Sequence, residues 1–462
     1  MSSSLTDVRS THLPENGVSD SSRIALAQTT NRPRTIAYCA WHSLFWLVLA
    51  NAVGVLIAVL LLVPSLNKVL GEWTYGRWMP VHLNLELYGW SSLPLVAFLF
   101  RVYGTDRCPA ANWCRPVLWA WSAALSVGAL TWLNGHSSGK LFLDWTGYSR
   151  ILFPLAIASV WLVIAYSLRS QWRASQNSRF ITKAAKVAGL ALLLAVPILI
   201  YVAASPTLYP PINPDTGGPT GASQLESTLV VVAILLLLPF GLTDLKVRRS
   251  WRTMTSWIVF AAEAILCIGL GRADVSHHRP IQYISLASLL VWLPLTPAYY
   301  SAFEWQPSTR RWRIAFLCWW SILVPTGWCL FLPGVLDHFK FTDGLVGHSL
   351  LAMAGFTTSL LIFVMVQILG DDGWIFNGTW SFYAWQGSVL AYVLLMTYSG
   401  RLEGSDPSFT IVPGLMRNGI YVARVAIGVL MLVASADWLI DASKLLREPT
   451  ASHLLEPQEH AP

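Results

Sequence analysis

A chain of 462 residues that is 54% hydrophobic and only 12% charged, with a mean hydropathy of +0.51, carries too little polar surface for a soluble protein of its size. Its net charge of +7 does not make a nucleic-acid face, because the basic residues are scattered over short loops. Six cysteines, at 39, 108, 114, 267, 318 and 329, form neither CxxC nor CxxCH, which excludes zinc-ribbon spacing and covalent haem attachment.

The polar segment before the first apolar run lacks the apolar core of a signal peptide, and residues 1–39 read as a disordered cytoplasmic tail. Apolar runs of membrane-crossing length, about 20 residues, then follow at 40–64, 80–101, 116–134, 151–168 and 184–204. The second run opens on His82 and carries Glu86 one turn later. A loop rich in proline and glycine, "SPTLYPPINPDTGGPTGASQLE", leads to the next runs at 227–243 and 254–271. Glu226 stands just before the first of these, and Glu263 sits in the middle of the second, in "FAAEAILCIG". The pair His277 and His278, in "SHHRP", precedes the run at 281–301. Further runs lie at 314–333, 344–370, 381–399 and 418–440, and His348 is one turn into 344–370. Residues 441–462 read as a second cytoplasmic tail. The fold class is an all-α polytopic membrane protein with about twelve transmembrane helices, its membrane domain covering residues 40–440. No repeat of 20–50 residues is visible, and the 24 tryptophans read as interfacial belts and lipid packing.

The basic residues orient the bundle. With both termini in the cytoplasm, roughly 21 of the 31 Lys and Arg fall on the tails and inner loops and roughly 9 on the outer side, the bias of the positive-inside rule. On this topology His82, His136, His277, His278, His338 and His348 all fall at the outer end of a helix or in an outer loop, whereas His42 lies near the inner face. Neutral imidazole is a common ligand of haem iron and copper, and bundles build cofactor sites from facing helices. A single histidine near a helix end is more often an interfacial or hydrogen-bonded residue, and His136 and His338 are read that way. The group at one depth reads equally as a metal or haem cluster or as separate structural residues.

"MPVHLNLELYGW" (79–90), "SHHRP" (276–280) and "VGHSLLAMAGF" (346–356), together with the span count, resemble subunit I of the haem-copper oxidases, on the side of the cbb-type cytochrome oxidases and nitric-oxide reductases. The resemblance implies that His82 binds a low-spin haem, His348 a high-spin haem, and His277 and His278 an opposing copper or iron. It implies haem b, one or two per chain, as the default. It also implies a c-type cytochrome subunit and other respiratory membrane subunits as partners, dioxygen or nitric oxide as substrate, and a bacterial-type inner membrane as the location.

Two positions depart from the family pattern. The helix holding His348 carries a His-x-His in the family, and residues two apart on a helix point roughly 200° from each other, so one helix serves two haems. Here Leu350 occupies the second place, which leaves the low-spin site short of a ligand; Met353, one turn on, is a weak substitute. The third copper histidine of the family falls on "QLESTLV" (224–230), where Glu226 is the nearest candidate ligand or catalytic carboxylate, and an interfacial glutamate is the plainer reading. Glu263 is the proton-relay candidate. These departures keep open a degenerate homologue that binds haem or serves structure without reducing oxygen. A secondary transporter is the third alternative, disfavoured by the scarcity of mid-membrane polar residues and of visible symmetry.

Overall fold

The computed structural model describes residues 34–172, 180–208, 221–247, 250–270 and 280–447, and among them it contains no strand beyond one isolated bridge between Leu245 and Phe303. Helix is what these sequences require in a bilayer, where each backbone N–H and C=O must be satisfied within its own segment. The long helices are α1 (Thr35–Leu62), α2 (Tyr75–Val102), α3 (Ala111–Leu133), α4 (Ser149–Trp172), α5 (Phe180–Ala203), α6 (Gly221–Leu242) and α7 (Trp251–Leu270). They continue as α8 (280–300), α9 (Arg310–Leu330), α10 (Asp343–Phe376), α11 (Thr379–Ser405) and α12 (Leu415–Arg447).

Ten of these are long and apolar enough to cross a membrane, α8 and α11 being the two outside that set. α8 is helical but broken, with a 3₁₀ turn at Ser288–Val291 between two short α segments. α11 is continuous over 27 residues but carries Gln386, Arg401 and Glu403. The ends of the bundle differ from the hydropathy boundaries at 40 and 440. α1 begins at Thr35 and α12 runs to Arg447, because the two pack side by side: Arg34 donates to the Leu446 carbonyl at 2.6 Å and Trp41 to Ser443 at 3.0 Å.

Two helices change pitch in the middle. α2 passes through a π segment at Leu85–Ser91 and α10 through one at Leu351–Thr357. Such segments leave carbonyls without their usual intrahelical partner and recur at functional sites. The freed carbonyls are used: Trp121 of α3 donates to the Tyr88 carbonyl at 2.9 Å, and Trp385 of α11 donates to the Ala354 carbonyl at 3.0 Å.

These bonds correct the reading of the tryptophans as belts. Trp90, Trp132, Trp145, Trp312, Trp385 and Trp438 are among the side chains fully buried inside the bundle. Lipid tails are as apolar as the core, so burial alone does not draw membrane helices together; close packing on small residues and interhelical hydrogen bonds do. The indole supplies both, a broad face and one donor. Gly89 takes Trp46 against its bare Cα, and Gly344 and Gly400 bring α10 and α11 backbone to backbone.

Candidate haem site

Thr342 caps α10, its side chain accepting from the Gly344 N–H, with Asp343 in the first turn where the helix dipole favours a carboxylate. One turn on, His348 turns toward α9. A methyl placed on Gly327 would lie 3.4 Å from His348 Cε1, so the ring rests on bare backbone there. His348 is in the wall of a cavity of about 560 Å³. Ser227 and Thr228 of α6, Leu289 of α8, Trp320 of α9, and Met353 and Thr357 of α10 line it with the histidine. The volume falls within the roughly 300–1,000 Å³ typical of small-molecule and cofactor sites. The lining is apolar but for His348, Lys340 and a few hydroxyls and indoles.

His82 stands on α2 against α1. Its Nδ1 lies 2.9 Å from the Ala50 carbonyl, which can only accept, so the ring carries a proton on Nδ1 and, when neutral, keeps the Nε2 lone pair. That is the tautomer a metal-binding histidine adopts, with its other nitrogen bonded to a backbone carbonyl. A methyl on Gly54 would lie 2.9 Å from His82 Cε1, so only glycine leaves room for the ring in this position.

His82 and His348 are not in the same wall, and Leu350 faces away from the cavity: it packs against the group formed by Met396, Ile420 and Tyr421 on α11 and α12. Met353 is placed differently from the sequence expectation. It lines the His348 cavity rather than taking the place of Leu350, because the π segment rotates the residues after Leu350.

The carboxylates divide. Glu226 directly precedes Ser227 and Thr228, so α6 does bring that stretch to the cavity, although the glutamate itself is not in the wall. Glu263 is buried on α7 and accepts from Trp292 Nε1 at 2.5 Å, away from the cavity lining. Among the described residues no three His, Cys, Asp or Glu side chains stand close enough to hold a metal ion. His277 and His278 lie outside the described residues. His338 reaches the Arg401 carbonyl at 3.2 Å and His42 the Ser122 hydroxyl at 2.9 Å, both structural contacts.

Sequence reasoning passed over a buried ionic group at the start of α10. Arg424 of α12 donates to Asp343 at 2.8 Å, and Glu403 of α11 accepts from the Asp343 N–H at 2.8 Å. The Ser399 hydroxyl lies 3.1 Å from Asp343 and 2.9 Å from Glu403. The signal available was Arg424 itself, a cation inside an apolar run.

No protein-family model matches the chain. A stretch of 128 residues is 29% identical to cytochrome c oxidase subunit 1 of Rhodobacter capsulatus, covering 26% of this chain. The match spans 23% of that protein's length, under a quarter of it. The helical bundle and this partial similarity together describe a multi-pass membrane protein with a distant likeness to an oxidase subunit.

Proposed function

We propose that the chain is a membrane haem-binding subunit of the haem-copper oxidase type. In this reading it has twelve spans and both termini in the cytoplasm, and it lies in a bacterial-type inner membrane. The observation that carries the reading is His348 in the wall of an apolar cavity of cofactor size between α6, α8, α9 and α10. The cavity fits haem b with His348 as its ligand, and His82, whose Nδ1 is bonded to the Ala50 carbonyl, would be the ligand of a second one. When bound, haem supplies a redox-active iron that accepts electrons and a diatomic ligand.

The chain's own residues bind, orient and dry that site. Gly327 faces the His348 ring from α9, and Trp320 and Phe356, with Leu289, give the cavity an apolar wall. Lys340 lies at the cavity margin and forms an ion pair with Asp337 at 3.0 Å. In the full proposal electrons would come from a c-type cytochrome subunit or quinol, dioxygen or nitric oxide would be the substrate, and His277 and His278 would hold a second metal, copper or iron. Glu226 and Glu263 serve as proton or ligand carboxylates.

A second reading keeps the haem and drops the oxygen chemistry. Leu350 favours it, set as it is in an apolar contact where the resemblance implies a ligand. Pyridine haemochrome and metal analysis on the purified complex test the haem in both. The wild type is expected to contain haem b, and His348→Ala to lose it; a complex without haem overturns the proposal. Oxygen and nitric-oxide consumption in His277→Ala and His278→Ala then separates the two. Turnover lost with helices intact supports the oxidase, whereas no turnover in the wild type leaves the haem-binding subunit alone.

A further inference from the structure

α1–α3 and α9–α11 share a set of contacts that no apolar pattern requires. In α1, Gly54 follows Trp46 by eight residues, and in α9, Gly327 follows Trp319 by eight. In α2, Gly89 follows His82 by seven, and in α10, Gly355 follows His348 by seven. The four pairs interlock in the same way: Trp46 packs on Gly89 and His82 on Gly54, while Trp319 packs on Gly355 and His348 on Gly327. Each π segment begins three residues after its histidine.

The third helix completes the set. The carbonyl six residues after each histidine, Tyr88 or Ala354, accepts from a tryptophan of the following helix, Trp121 or Trp385. The hydroxyl ten residues after each, Ser92 or Thr358, donates back to the carbonyl five residues before it, closing the π turn. The two sets also meet, since Trp90 donates to Thr358 at 2.9 Å.

We propose that Gly54 and Trp121 are positioning residues for the imidazole of His82, and that Trp385 plays the part of Trp121 for the imidazole of His348. Gly54 fixes where the His82 ring lies, because a methyl there would come within 2.9 Å of the ring. The third-helix tryptophan holds the wide turn that carries the ring, because it satisfies the carbonyl that the turn releases. The inference rests on the haem reading only for what the imidazoles hold; their placement stands on the contacts alone. The two glycine contacts differ in tightness. An added methyl would sit 2.9 Å from His82 but 3.4 Å from His348, the second being ordinary contact.

The experiment reads the rings directly. In the full-length protein with ¹⁵N-labelled histidine, His82→Ala identifies the ring-nitrogen signals of His82, including the Nδ1–H bonded to Ala50, and His348→Ala those of His348. Gly54→Ala is expected to abolish the bonded Nδ1–H signal, and Trp121→Phe to shift it. Gly327→Ala is expected to leave His82 untouched and move the His348 signals slightly. Unchanged His82 signals in Gly54→Ala overturn the inference. If that variant does not give monodisperse protein, Trp121→Phe, which removes one hydrogen bond, carries the same readout, and unchanged signals there overturn it as well. Haem content is measured beside the shifts. Haem that survives both His82→Ala and His348→Ala sinks the ligand roles and leaves the ring-placement result standing, whereas haem lost in His82→Ala with unmoved rings in Gly54→Ala sinks the positioning alone.

Discussion

In the proposed haem reading, Leu350 sets how many ligands the second site would have. It lies against Met396, Ile420 and Tyr421, on the side of α10 turned from the His348 cavity, which is where the resemblance implies a second imidazole. Leu350→His is therefore expected to raise haem content and to add to the reduced-minus-oxidised spectrum a bis-histidine band that the wild type is expected to lack. A wild-type spectrum that already shows that band would mean that another residue completes the site. His348 and His82 were both legible in the sequence, because a histidine one turn inside an apolar run is rare and stands out. Leu350 was legible only as a departure from a motif, since nothing in an apolar run distinguishes one leucine from its neighbours.

At the scale of the helix, the π segments are what the sequence concealed. Periodicity reads a wide turn as an ordinary one, because seven residues of changed pitch leave the apolar pattern of a buried helix intact. The correspondence between α1–α3 and α9–α11 escaped for a related reason: the two agree at the residues that touch and differ almost everywhere else. The helices themselves were plain from hydropathy, and the buried tryptophans were misread because a belt and a cross-helix staple use the same residue. Thr358 joins both π segments, accepting from Trp90 and donating to the Met353 carbonyl at 3.0 Å. Thr358→Val keeps the shape and strands the Trp90 donor. It is expected to cost about 1 kcal/mol, the scale of buried hydrogen bonds between membrane helices, read as a lower thermal midpoint in detergent. Ser349→Ala, an exposed hydroxyl on the same helix, is expected to leave the midpoint in place.

Across the whole molecule the ionic group ties α10, α11 and α12 at one end of the bundle. Removing one member of a buried pair leaves the other charge stranded, a loss of about 3–5 kcal/mol, whereas replacing both members is much milder. Arg424→Gln is therefore expected to lower thermal stability more than Arg424→Gln with Asp343→Asn, and equal losses would show that the pair is not coupled. The pairing of α1 with α12 has a different consequence, one for how the protein is made. Trp41 and Asn51 of α1 bond to Ser443 and Ser435 of α12, across sequence separations of 402 and 384 residues. α1 thus leaves the ribosome with polar groups whose partners are synthesised 402 and 384 residues later. Until α12 enters the bilayer those groups face lipid or an insertion factor, so a ribosome stalled before residue 415 should hold α1 in crosslinking range of the insertion machinery, and synthesis of α12 should free it.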